Sequence, residues 1–157
     1  MRVGLGYDIH PVRSGRPLVL GGVMIAHTQG LEGHSDADAL VHAVCDALLG
    51  AMGEGDLGAQ YPSSDSRFKD MNSLSMLKAV GAKLAQRGFR LVNLDSVILA
   101  EAPRMGPYLA EMEIRMAEVL GVDPSLVNVK VKSGDQLGVI GRKEGIGAQA
   151  VCLIESL

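Results

Sequence analysis

The sequence predicts an α+β fold, a mixed β-sheet with helices packed on one face as a two-layer sandwich. Three observations carry that expectation. Strand-like apolar runs open and close the chain and recur in LVNVKVK, where Val127, Val129 and Val131 alternate with Asn128, Lys130 and Lys132. Three intervening stretches instead space their apolar residues at helical intervals. The resulting order, βββααβαββ, segregates helices to one side of a sheet rather than alternating strand and helix. No linker, low-complexity tract or internal repeat interrupts the chain, so residues 1–157 are expected to form a single domain. A chain of this length buries about 70% of the surface its unfolded form exposes.

Taken in order, a first strand covers residues 2 to 9. RPLVLGGVMIAH then reads as a hairpin, because Gly21-Gly22 between apolar runs suits a two-residue turn. HSDADALVHAVCDALLGAMG predicts a helix capped by Ser35 and Asp36, with Leu40, Val41, Val44 and Leu48 on its apolar stripe. Residues 53 to 66 are a loop by their Gly, Pro, Ser and Asp content. A second helix runs from Ser73 to Arg87 and stops at Gly88; FRLVNLDSVILAE follows as a strand. Pro107 suits the first turn of a third helix, residues 107 to 120, closed by Gly121. The 126–132 strand and a last strand at 147–154 complete the chain.

Composition narrows the function classes. A formal charge of −3 argues against a broad nucleic-acid footprint, which needs a basic excess. Aromatic residues are only 3%, so Ala, Val, Leu, Ile and eight Met must fill the core, and twenty glycines suggest tight turns or close backbone approaches. Cys45 and Cys152 form no CxxC motif and read as small reduced core residues. No signal-peptide core and no bilayer-length apolar run is present, so a cytoplasmic protein without membrane contact is expected. Neither a Walker A loop nor a GxSxG elbow occurs.

The candidate chemistry starts at GYDIH. Side chains two apart on a strand share a face, so Asp8 and His10 project together while Tyr7 and Ile9 face away. Within the first helix Asp38, His42 and Asp46 stand at i, i+4 and i+8, on one side. Spacing alone leaves that stripe open to two other readings, a solvated face or a hydrogen bond from Asp46 bracing His42. Together, Asp8, His10 and His42 offer one carboxylate and two imidazoles. Such a set holds zinc and leaves a fourth position for substrate or water. Asp38 or Asp46 would stand behind a ligating histidine as its hydrogen-bonding carboxylate.

GYDIHPV, GHSDADALVHAVCDALLGAMGEGDLG, YPSSD, AEAPRM and GVIGRKEGIGAQAV, in this order, resemble the 2-C-methyl-D-erythritol 2,4-cyclodiphosphate synthase family from end to end. The resemblance implies a lyase of non-mevalonate isoprenoid biosynthesis, acting on a CDP-linked methylerythritol 2-phosphate. The 2-phosphate attacks the β-phosphate, CMP leaves and an eight-membered cyclic diphosphate closes. It further implies a homotrimer with active sites between subunits. A zinc-type ion, with manganese as an alternative, falls to Asp8, His10 and His42, and a magnesium ion on the diphosphate to Asp135. His34 and Ser133 are the implied catalytic positions. Substrate contacts fall to Asp8, Ile9, His10, His34 and Ser35, and to Asp56, Leu57 and Gly58 at the methylerythritol hydroxyls. They continue through the flap Tyr61, Pro62, Ser63, Ser64 and Asp65, and through Ala100, Glu101, Ala102, Pro103, Arg104, Met105 and Gly106 around the cytidine. A fusion to the preceding cytidylyltransferase finds no length in the chain. His27 matches nothing functional.

Two stretches depart from the family pattern. Where the family has Thr-Thr-x-Glu, this chain has Lys132-Ser133-Gly134-Asp135, keeping a hydroxyl and a shorter carboxylate and adding a cation. Val139 stands where Phe is common, beside a central cavity in which an isoprenoid diphosphate would meet Arg142. The alternative for Arg142 is a simple ion pair with Glu144. Other readings of the donor set are a zinc-dependent phosphodiesterase and a non-catalytic trimeric metal-binding scaffold.

Overall fold

Gly4 and Gly6 set the distance between the two layers. A Cβ on Gly4 would lie 1.8 Å from the Ala47 carbonyl oxygen, and one on Gly6 1.9 Å from that of Ala43. The strand therefore lies against a helix at backbone distance, which only glycine on one side and alanine on the other allow. A computed structural model describes residues Met1–Leu157. Its main elements are β1 (Arg2–Ser14), β2 (Leu18–Leu20), β3 (Val23–Ile25), β4 (Gln29–Leu31), α1 (Ala39–Met52) and α2 (Leu57–Gln60). They continue with α3 (Ser73–Gln86), β5 (Phe89–Leu99), α4 (Leu109–Leu120), β6 (Val127–Lys132), α5 (Gly138–Gly141) and β7 (Gly145–Ser156).

The expected α+β class holds. Five strands form one mixed sheet in the order β4-β1-β7-β5-β6, antiparallel except for the β5–β6 pair. Helix α1 lies on β1 and β7, whose inward Ala148, Ala150 and Cys152 are also small and buried. Helices α3 and α4 extend the layer, with Leu77, Val80, Met112 and Met116 in the core. Twelve of the fourteen α1 residues are buried, because sheet and helices cover it from opposite sides. The opposite face of the sheet carries no helix, and Val3, Leu5, Tyr7, Ile9 and Val151 are exposed on it.

Gly21 and Gly22 join β2 to β3 with φ of 59° and 72°, the double left-handed turn expected of a Gly-Gly hairpin. The start of the first helix differs from expectation. Ala37 adopts φ of 56°, so helical hydrogen bonding begins only after it, and Asp38 caps α1 through the Val41 amide. Ser35 and Asp36 instead form tight side-chain turns onto the amides of Ala37 and Asp38. The first strand runs on to Ser14 because Val12 to Ser14 pair with β4, a three-residue strand too short to show a period.

Candidate active site

Asp8 and His10 leave β1 on its helix-facing side, and His42 leaves the first turn of α1, so glycine-distance packing brings all three together. Asp8 Oδ2 lies 2.8 Å from His10 Nε2 and 2.9 Å from His42 Nδ1. The two imidazole nitrogens are 3.3 Å apart. Each ring is oriented from behind. His10 Nδ1 donates to the Glu32 carbonyl at 3.0 Å, and His42 Nε2 lies 3.1 Å from Ser35 Oγ. These partners leave His10 Nε2 and His42 Nδ1 facing the Asp8 carboxylate. Burial opposes charge on Asp8, yet hydrogen bonds from His10 and His42 outweigh it and hold the carboxyl well below the usual range. Burial likewise opposes charge on His42, and the Asp8 contact overrides it.

These three donors could hold a metal ion. Four tetrahedral ligands at about 2.0–2.1 Å stand about 3.3 Å from one another, the spacing of the two nitrogens here. A divalent cation would take the place of the protons that His10 Nε2 and His42 Nδ1 direct at the carboxylate.

The carboxylates expected behind the histidines are engaged elsewhere. Asp38 is fully buried and accepts from the Gly21, Gly22 and Val41 amides and the Ser73 hydroxyl, joining the hairpin, α1 and α3. Asp46 accepts from the Leu57 amide at 2.6 Å, which fixes the start of α2. The Glu32 carbonyl and Ser35 hydroxyl take the supporting place. No sequence signal marks a backbone carbonyl for this role, whereas Ser35 reads from the sequence as a helix cap and, by the resemblance, as a substrate contact.

Beside the donor set opens a cleft of about 150 Å³. His34, Ser35, Leu57, Gly58, Tyr61 and Ser63 line it, together with Phe68 and Met76. Phe68 stands edge-on to Tyr61, ring centres 5.2 Å apart; an aromatic in an otherwise polar loop was the available signal. His34 ties this loop down twice, through Nε2 to the Asp65 carbonyl and through its own carbonyl to the Asp70 amide. Asp56 caps α2 through the Ala59 amide, and Asp65 pairs with Arg67.

The remaining candidates gather elsewhere, at the C-terminal ends of the parallel strands β5 and β6. There the Ala100 amide donates to the Lys132 carbonyl, and the Gly134 amide donates to Glu101 Oε2 at 3.0 Å. Arg104, Lys132, Ser133 and Asp135 differ in position but share exposure to solvent, while Met105 is buried. None of these residues lines the cleft beside His42. Arg142 is paired with Glu144, Nε to Oε1 at 2.9 Å, the simpler of its two expected roles. Val139 is exposed.

The YgbB family matches residues 1–155. A 2-C-methyl-D-erythritol 2,4-cyclodiphosphate synthase of Chlorobium luteolum is 51% identical over 157 residues, covering all of both chains. The one from Syntrophomonas wolfei is 52% identical over 155 residues, 99% of each chain. Among solved structures, the bifunctional IspDF of Campylobacter jejuni superposes with a TM-score of 0.96 at 39% identity over 99% of this chain, which spans 42% of that longer one. The Plasmodium falciparum IspF in complex with CDP gives a TM-score of 0.88 at 31% identity, over 99% of this chain and 96% of that one. The chain thus belongs to the YgbB family, the family of the 2-C-methyl-D-erythritol 2,4-cyclodiphosphate synthases.

Proposed function

We propose that this chain converts 4-diphosphocytidyl-2-C-methyl-D-erythritol 2-phosphate into 2-C-methyl-D-erythritol 2,4-cyclodiphosphate, releasing CMP. The observation that carries it is the Asp8–His10–His42 donor set opening onto a cleft, in a chain about half identical to named synthases over its full length. A 2-phosphate oxygen forms a bond to the β-phosphorus, and the bond from that phosphorus to the oxygen bridging it to the α-phosphate breaks. CMP carries that oxygen away. Nucleophile and leaving group belong to one molecule, so holding them in line is the main task.

A zinc or manganese ion at Asp8, His10 and His42, with magnesium on the Asp135 carboxylate, would neutralise the diphosphate. His34 holds the transferring phosphate from the cleft side, and Ser133 donates its hydroxyl to the β-phosphate. Asp56, Leu57 and Gly58 bind the methylerythritol hydroxyls under the flap of Tyr61 to Asp65. Ala100 to Gly106 cradles the cytidine largely through backbone groups, with the Arg104 side chain near its phosphate. None of the 100–106 or 132–135 residues lines the cleft, which supports a working site shared between subunits of a homotrimer. The bare sheet face with Val3, Leu5, Tyr7, Ile9 and Val151 is the surface that assembly covers. An isoprenoid diphosphate near Val139 would have to displace Glu144 from Arg142.

Turnover in water enriched in heavy oxygen tests the reaction. Ring closure takes no oxygen from water, so CMP and the cyclic product keep their original masses. A linear product heavier by one labelled oxygen would identify a phosphodiesterase instead. Light scattering at one third of the trimer mass would remove the shared-site arrangement.

A further inference from the structure

The Ser133–Gln136 loop is held in a shape its own residues disfavour. Asp135 and Gln136 are consecutive non-glycine residues with φ of 50° and 61°. Behind them α5 packs at backbone distance. A Cβ on Gly134 would meet the Gly141 nitrogen at 2.7 Å, and one on Gly141 would meet the Gln136 carbonyl carbon at 2.1 Å. The Leu137 amide closes the turn onto the Gly134 carbonyl at 2.8 Å. From the other side a single side chain reaches in. Glu101, the second residue of the 100–106 loop, accepts the Gly134 amide at 3.0 Å. That is the only hydrogen bond its carboxylate makes.

We infer that Glu101 is a positioning residue, locking the Ser133–Asp135 loop from the neighbouring loop so that hydroxyl and carboxylate stay aimed at the diphosphate. This rests on the function proposed above. The two loops belong to strands paired in parallel, Leu99 opposite Lys132, and Ala100 to Lys132 is the last backbone bond of that ladder. Beyond it Glu101 alone carries the connection onward, to the amide immediately before Asp135. A cytidine seated on 100–106 therefore meets a diphosphate loop whose position is already set. Glu101 acts through that loop and touches no reacting atom.

The lock has two readouts. Hydrogen exchange at the Gly134 amide reads it without turnover: Glu101→Ala loses protection there, and Glu101→Gln, which keeps an acceptor oxygen, retains it. Unchanged protection in Glu101→Ala overturns the inference. In steady-state kinetics Glu101→Ala lowers kcat about tenfold with KM changed less than about threefold, and Glu101→Gln recovers most of the loss. In an Asp135→Asn background Glu101→Ala costs less than about twofold, since the group it positions is gone. A full tenfold cost in that background means Glu101 acts directly and overturns the inference. Failure of the wild type to form the cyclic product would sink the proposed reaction, while Gly134 exchange would still decide the lock.

Discussion

Replacing Gly6 by alanine should separate the strand carrying Asp8 and His10 from the helix carrying His42. The new Cβ would lie 1.9 Å from the Ala43 carbonyl oxygen and 2.7 Å from the Ala47 nitrogen. Carbon and carbonyl oxygen ordinarily approach no closer than about 3.3 Å, so β1 and α1 must part by about 1.4 Å. Both clashing partners are backbone, and no rotamer change relieves them. Overpacking ordinarily costs about 1–3 kcal/mol, and this contact belongs at or above the upper end, about 3 kcal/mol. That is a large share of a typical stability of about 5–15 kcal/mol. With a urea slope near 2 kcal/mol/M, the unfolding midpoint falls by about 1.5 M at fixed protein concentration. Zinc affinity should fall with it, because a shift of that size exceeds what a 3.3 Å nitrogen pair tolerates. Gly50→Ala on the same helix is the control. Its Cβ meets nothing closer than the Leu5 carbonyl oxygen at 3.9 Å, so it should be neutral or stabilising by up to about 1 kcal/mol. A Gly6→Ala protein with unchanged midpoint and zinc affinity would mean that β1 and α1 are not held together at backbone distance.

Further expectations concern the surroundings of the site. Ser35→Ala removes the partner of His42 Nε2 and should weaken zinc about tenfold in a chelator competition, leaving the fold intact. Asp38→Ala strands the four donors it satisfies and should cost about 3 kcal/mol or more in urea unfolding. Burial raises the Asp46 carboxyl above its ordinary value, so the folded chain holds that proton more tightly than the unfolded one. Its contribution to stability therefore falls as pH rises from the ordinary carboxylate range through the raised value, and Asp46→Asn should flatten that part of the metal-free profile. Burial pushes the Cys152 thiol up to about 11 and Cys45 well above its usual value. Neither should react with a thiol reagent at about pH 8 until the chain unfolds.

The parts of the fold legible in the sequence are those set by local chemistry. Gly21-Gly22 can turn where other residues cannot, and the Val127–Val131 alternation states a half-buried strand directly. The Asp8–His10 pair follows from strand geometry, whereas His42 stands on a stripe that helical spacing alone leaves open, and only the company of Asp8 and His10 singles it out. What escaped depends on tertiary contact. Asp38 and His42 share a helix face, yet Asp38 is taken by donors 17 and 35 residues away, which no spacing along α1 reveals. Ala37 in a left-handed conformation moved the helix start, and alanine gives no hint of it. Short elements such as β4 and α5 are too brief for periodicity, and α5 is held by glycine contacts to the 133–136 loop rather than by its own propensity.

The proposed reaction is tested most directly by phosphorus NMR of the purified protein with zinc, magnesium and the CDP-linked 2-phosphate substrate. The proposed cyclisation requires a cyclic diphosphate growing in step with one equivalent of CMP, and loss of both signals in His42→Ala. CMP appearing with a linear product, or His42→Ala turning over as fast as the wild type, would contradict it.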